Sequence, residues 1–273
     1  MYETLEVPEA PPSGPRFWDS ATELPRVILE MSSLAYSWPL LANASRGDGH
    51  TVLALPGFTA GDQSTLLLRR ILRRLNYTAL PWELGQNTGS VELQQQLRVR
   101  FQAVLAEADG KVSIVGQSLG GVFARILAHE FPEQVRQVIT LGSPFASSGP
   151  DNVNSLVSRL FQNLSGMDED EMRDQMLEFP AAAPPVPSTA IYSRSDGVVH
   201  WTTCLEYEGE QAENVEVVGS HSGMAFNPTV LSVIADRLAQ PEGRWQPFER
   251  RGCRALLYPQ PAQPDKFTDG RLA

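Results

Sequence analysis

The chain has 273 residues, 42% hydrophobic and 20% charged, which is enough apolar mass for a packed core and argues against a disordered chain. A formal net charge of −10 at pH 7 argues against non-specific binding to nucleic acid or to anionic lipid. Two cysteines, Cys204 and Cys253, with no C-x-x-C pair, exclude a disulfide scaffold and a dithiol or zinc motif.

The Pro-rich, acidic stretch 1–25 reads as an extended arm, with neither the basic nor the apolar region of a secretory signal. No apolar run approaches the roughly 18 residues that span a bilayer, so a soluble, cytoplasmic protein is expected. Residues 26–42 read as a mostly apolar helix. A turn and a short buried strand follow at 51–55. Residues 62–75 form a helix with Leu66, Leu67, Ile71 and Leu75 on its apolar stripe and Arg69, Arg70, Arg73 and Arg74 on the wet side. Asp62 is placed as the N-cap of that helix.

A second strand at 77–82, a Gly-containing loop and a helix at 91–108 come next. The third strand, 111–116, runs into Gln117-Ser118-Leu119-Gly120-Gly121, and an apolar helix follows. Strands at 134–142, 188–194 and 214–219 and a helix at 227–239 complete the alternation. Short apolar strands alternating with helices predict a parallel sheet covered on both faces. The excursion 143–187 breaks the rhythm and holds two amphipathic segments, 152–164 and 168–179. A crossover of that length is more often functional than decorative. The tail 240–273 is polar and Pro-rich, expected along the surface or partly disordered.

Gly116-Gln117-Ser118-Leu119-Gly120 is a G-x-S-x-G between a buried strand and a helix. Its glycines permit the sharp turn that lifts a serine hydroxyl to a helix N-terminus. A serine needs a base, and the chain offers His50, His129, His200 and His221. His221, just after the sixth strand, is the first choice and His200 the second. Asp196, after the fifth strand, is the first choice for the acid that orients the base, with Asp151 second; a plain Asp-Gly turn is the competing reading. The order Ser118, Asp196, His221 is that of the strand–turn–helix hydrolases. The backbone amides of Phe58 and Leu119 are the candidate oxyanion donors. Substrate-contact candidates are Gln117, Trp82, Leu156, Leu160, Met172 and Met176, with Asn87 a further possible wall residue. The apolar faces of the excursion either bury against the body or line an acyl pocket. No nucleotide-phosphate or dinucleotide motif is present.

The segments LPGFTAGDQST, WELGQNTG, GQSLGG, YSRSDGVV and GSHSGM together resemble the α/β-hydrolase superfamily over roughly residues 50–239. They look most like its bacterial esterases and lipases. The resemblance implies an α/β fold: one domain over residues 1–273, a mostly parallel sheet with helices on both faces, and a helical cap inserted between late strands. It implies a nucleophile at Ser118, an acid at Asp196, a base at His221 and oxyanion amides at Phe58 and Leu119. It further implies cleavage of a small acyl ester through an acyl-enzyme, with no metal or organic cofactor. Acyl transfer, thioester or amide cleavage, and a non-catalytic binding role are the alternatives. Pro56-Gly57 stands where the family commonly has His-Gly.

Overall fold

The computed structural model describes residues 14–42, 44–146, 182–206 and 209–262. Six strands form one sheet: β1 (Gly49–Leu55), β2 (Tyr77–Pro81), β3 (Val112–Gln117), β4 (Val135–Leu141), β5 (Ser188–Tyr192) and β6 (Ala212–Glu216). Their spatial order is β2-β1-β3-β4-β5-β6, and every neighbouring pair is parallel. Among the described residues the α-helices are α1 (Phe17–Ala21), α2 (Glu23–Ala42), α3 (Leu66–Arg74), α4 (Val91–Glu107), α5 (Leu119–Glu130), α6 (Pro228–Leu238) and the short α7 (Arg254–Leu257). None of the described helices is long and apolar enough to cross a membrane.

Strand alternation divides the core into two layers. In β1, Val52 and Ala54 join one apolar cluster with Leu34 of α2, Leu68, Ile71 and Leu72 of α3, and Ile234 of α6. Leu53 and Leu55 point the opposite way, into a cluster with Leu97 and Phe101 of α4 and Phe123 and Leu127 of α5. Successive side chains of a strand face opposite sides, so a strand buried on both faces must be apolar throughout. β1 and β4 are accordingly buried along almost their whole length.

Several expectations are corrected. The arm is helical from Phe17 and not extended through residue 25, because the proline run ends at Pro15 and the next residues find partners on the body. Ser20 Oγ, for example, donates to Gly197 O at 2.6 Å. Pro25 falls in the first turn of α2, where an amide hydrogen has no helical acceptor. The buried stripe of α3 is Leu68, Ile71 and Leu72, continued by Leu75, with Leu66 and Leu67 only half-buried. Arg69 lies on that inner edge and not in water, because its guanidinium donates to Thr65 Oγ1 and to Asp62 O. Asp62 does not cap α3. Its carboxylate accepts the amides of Trp82 and Glu83, at 3.1 and 3.2 Å, tying the loop after β1 to the loop after β2.

The excursion leaves β4 and returns to β5, which pairs directly with β4. The expected cap helices at 152–164 and 168–179, with Leu156, Leu160, Met172 and Met176, and the second-choice acid Asp151 lie outside the described residues. The tail is laid along the body as far as residue 262. Tyr258 is buried and donates to Thr229 O, and Ala262 N donates to Tyr192 Oη.

Phe101 is fully buried and packs against Phe131 with ring centroids 5.4 Å apart. Phe101→Ala is expected to cost about 3–5 kcal/mol. Urea unfolding checks this, with a lower midpoint and an unchanged slope expected.

Candidate active site

The first, third, fifth and sixth strands all deliver their C-terminal ends to one edge of the sheet, the edge where open parallel sheets bind ligands. β1 leads into Pro56-Gly57-Phe58, β3 into Ser118, β5 into Asp196 and β6 into His221. The neighbour order of the strands therefore brings to one edge residues up to 165 positions apart in sequence.

Ser118 sits on the turn between β3 and α5 with φ 50° and ψ −124°, a conformation that non-glycine residues avoid. Holding it costs on the order of 1–3 kcal/mol, which surrounding contacts must supply. The packing around the turn shows how. A Cβ on Gly116 would lie 2.3 Å from Gly120 O, and a Cβ on Gly120 would lie 2.5 Å from both Leu55 O and Pro56 O. Only glycine lets β3, α5 and the end of β1 approach that closely. Ser118 N donates to Leu141 O at 2.8 Å, fixing the turn against β4. The Ser118 side chain makes no capping bond to its own helix. Its hydroxyl thus stands at the positive end of a 12-residue helix.

His221 and Asp196 form a buried pair, with Nδ1 2.6 Å from Asp196 Oδ2. The other carboxylate oxygen accepts the amides of Val198 and Val199 at 2.8 and 2.9 Å. Those two amides fix the carboxylate and leave Oδ2 for the ring. Burial works against charge on His221. The Coulomb attraction of Asp196 and its hydrogen bond, with a smaller share from Glu23, outweigh that and hold the imidazole pKa above the ordinary histidine value. The other three histidines are pushed down, each by burial first. Each is also engaged elsewhere: His50 with Asp48 and Ser113, His129 with Ala182 O, and His200 with Thr202.

Gly142 follows the last residue of β4 and lies against the His221–Asp196 pair. Its φ is +54°, and a Cβ there would lie 3.1 Å from Asp196 Oδ2 and 3.2 Å from His221 Nδ1. Gln117, a substrate-contact candidate, donates through Nε2 to His221 O at 3.1 Å and so joins the Ser118 turn to the loop carrying His221.

Phe58 is half-buried against the α4–α5 side of the core, and Leu119 is the first residue of α5, where an amide has no helical acceptor. The loop carrying Phe58 is held by Asn87. Its Nδ2 donates to Pro56 O at 2.9 Å, its N to Ala60 O at 2.8 Å, and its own O accepts Thr59 N at 2.8 Å. Asn87 is fully buried and therefore acts as a brace, not a pocket wall. Trp82 is also fully buried, with Nε1 donating to Gly85 O, so its indole offers no surface to a ligand. Asn87 and Gly142 escaped sequence reasoning as working parts. The Asn-x-Gly signal of 87–89 was visible but not its target 31 residues away.

The family described as "Putative esterase" matches residues 90–197, a span that holds Ser118 and Asp196 and stops short of His221. Among solved structures, the chain is similar to lipase B of Aspergillus fumigatus at 16% identity and a TM-score of 0.56, covering 74% of this chain and 55% of that one. It is similar to the pyrethroid hydrolase PytH at 18% identity and a TM-score of 0.51, covering 72% and 99%. A monoacylglycerol lipase of Paleococcus ferrophilus matches at 12% identity and a TM-score of 0.51, covering 71% and 96%. At such identities the likeness speaks for the fold alone: the chain has an α/β-hydrolase fold.

Proposed function

We propose that this protein is a serine hydrolase that cleaves carboxylic esters through a covalent acyl-enzyme. The observation that carries the reading is the buried His221–Asp196 pair at the same sheet edge as a serine held at φ 50° on a strand–helix turn. The match to an esterase family over the segment holding the serine and the acid supports it.

In this reading Ser118 Oγ attacks the acyl carbon while His221 Nε2 takes the hydroxyl proton. Asp196 accepts from Nδ1–H, fixing the tautomer and stabilising the imidazolium. The carbonyl oxygen becomes an oxyanion, and the amides of Phe58 and Leu119 donate to it. Collapse breaks the ester C–O bond, and His221 returns its proton to the departing alcohol. Water then attacks the acyl-serine, giving its proton to His221. The second collapse returns that proton to Ser118 Oγ and frees the carboxylic acid. Serine–histidine hydrogen bonds are often open without substrate and tighten in the substrate complex.

A fluorophosphonate probe is expected to label wild type on Ser118, and Ser118→Ala and His221→Ala to abolish labelling. Turnover of p-nitrophenyl esters should fall in both variants by several orders of magnitude, to a residue of about 10³–10⁴ over water. Retained activity in Ser118→Ala would remove the reading.

The base works neutral, and its raised pKa means it gains a proton earlier as the solution is acidified. The acid limb of kcat/KM is therefore expected above about 6.5, the ordinary histidine value. A limb well below that value would contradict the Asp196 pairing.

Asn87→Leu removes the donor to Pro56 O and loosens the loop carrying Phe58. It should cost about 1–3 kcal/mol of stability through the unpaired carbonyl. It should also lower kcat more than it raises KM, since oxyanion contacts strengthen in the transition state. Thermal unfolding and ester kinetics on one sample separate the two effects.

A further inference from the structure

The helical pair α1–α2 precedes the sheet in sequence, yet its polar side chains end on the two loops that carry Asp196 and His221. Ser220, next to the base, is completely buried. Glu30 of α2 grips it twice: Oε1 accepts Ser220 N at 2.6 Å and Oε2 accepts Ser220 Oγ at 2.7 Å. The same hydroxyl accepts Gly223 N at 3.1 Å, closing the loop around His221. One turn earlier on the helix, Arg26 Nη1 donates to Ser195 O at 2.5 Å, beside the acid, and to Gly219 O at 3.2 Å, at the start of the base loop. Glu23 Oε1 accepts Ser222 N at 2.8 Å, on the other side of His221, while its Oε2 pairs with Arg26.

Two features mark this as a fitted contact. A Cβ on Gly223 would lie 1.6 Å from Glu30 Oε2, so the carboxylate sits in the space that a side chain at 223 would take, and any such side chain would displace it. Glu30 is also the sole charged residue in the run from Val27 to Ala42, an apolar helix that gains nothing from an acid unless it has a target.

We infer that Glu30, with Arg26, is a positioning residue of the reaction: α2 holds the acid turn and the base loop at fixed separation, and so keeps Nδ1 of His221 on Asp196. This rests on the Ser118–His221–Asp196 reading. Glu30 touches neither substrate nor reacting atoms and acts through Ser220.

The test compares Glu30→Ala, Glu30→Gln, Arg26→Gln and Ser118→Ala in the full chain. Glu30→Ala is expected to lower kcat about 10–100-fold with KM within about twofold, because small misplacements of reacting groups act on the chemical step. Fluorophosphonate labelling of Ser118 should slow by the same factor. The far-downfield proton resonance of His221 Nδ1–H, present in wild type, should broaden or vanish. Glu30→Gln keeps an acceptor for Ser220 N and should recover most of kcat and the resonance, which a role in bulk stability through charge would not predict. Glu30→Ala that folds with kcat and resonance like wild type overturns the inference. If Glu30→Ala does not fold, Arg26→Gln decides: kcat within about twofold of wild type overturns it, and a fall at constant KM supports it. If Ser118→Ala stays active, the hydrolase reading itself has failed, independently of Glu30.

Discussion

Everything at the sheet edge depends on one close approach of backbones, that of the β3–α5 turn against the ends of β1 and β4. Gly116 and Gly120 have no Cβ to keep those segments apart, and Ser118 N is bound to Leu141 O. The strain at Ser118 persists because the flanking strand and helix are both locked into apolar layers. β3 is buried through Val112–Gly116, and α5 buries nine of its 12 residues. A strained residue survives only where its surroundings over-determine it.

The second constraint is electrostatic. A histidine and a carboxylate taken out of water lose hydration, and only specific partners offset that loss. Asp196 draws two amides from its own turn. The loop carrying His221 is bound by Gln117 from the Ser118 turn and by Glu30 of α2. Gly142 lies close to the pair, where a Cβ would crowd Asp196 Oδ2 and His221 Nδ1. In the proposed reaction, the oxyanion loop has a separate support in Asn87, so the two halves of the site are braced by different parts of the chain.

The order of the strands converts sequence distance into proximity. β4 contributes no nucleophile, acid or base. Yet because it lies between β3 and β5, its last carbonyls and Gly142 become the floor on which the serine turn and the acid–base pair meet. The chain leaves β4 beside that floor and, because the two strands are parallel, enters β5 from the opposite edge of the sheet.

Much of this was legible in the sequence. The six strands and the helices around them lay within a few residues of their expected positions, because strands buried on both faces and helices buried on one leave different apolar periods. Ser118, His221 and Asp196 could be singled out because each follows a strand end in a short motif, and the structure pairs His221 with Asp196. The misreadings share a cause. The stripe of α3 was displaced because Arg69 finds acceptors at Thr65 and Asp62, and no periodicity reveals acceptors. Asp62 was taken for a cap because its true partners, the amides of Trp82 and Glu83, lie across a strand crossover. The arm was read as extended because its helix is held by the acid turn, 177 residues away at Gly197. The sequence by itself determined the elements and the chemical groups, since local period, glycine placement and residue type are local properties. Only the tertiary structure decided which groups serve as braces, since a buried hydrogen bond depends on the partner that folding brings within about 3 Å.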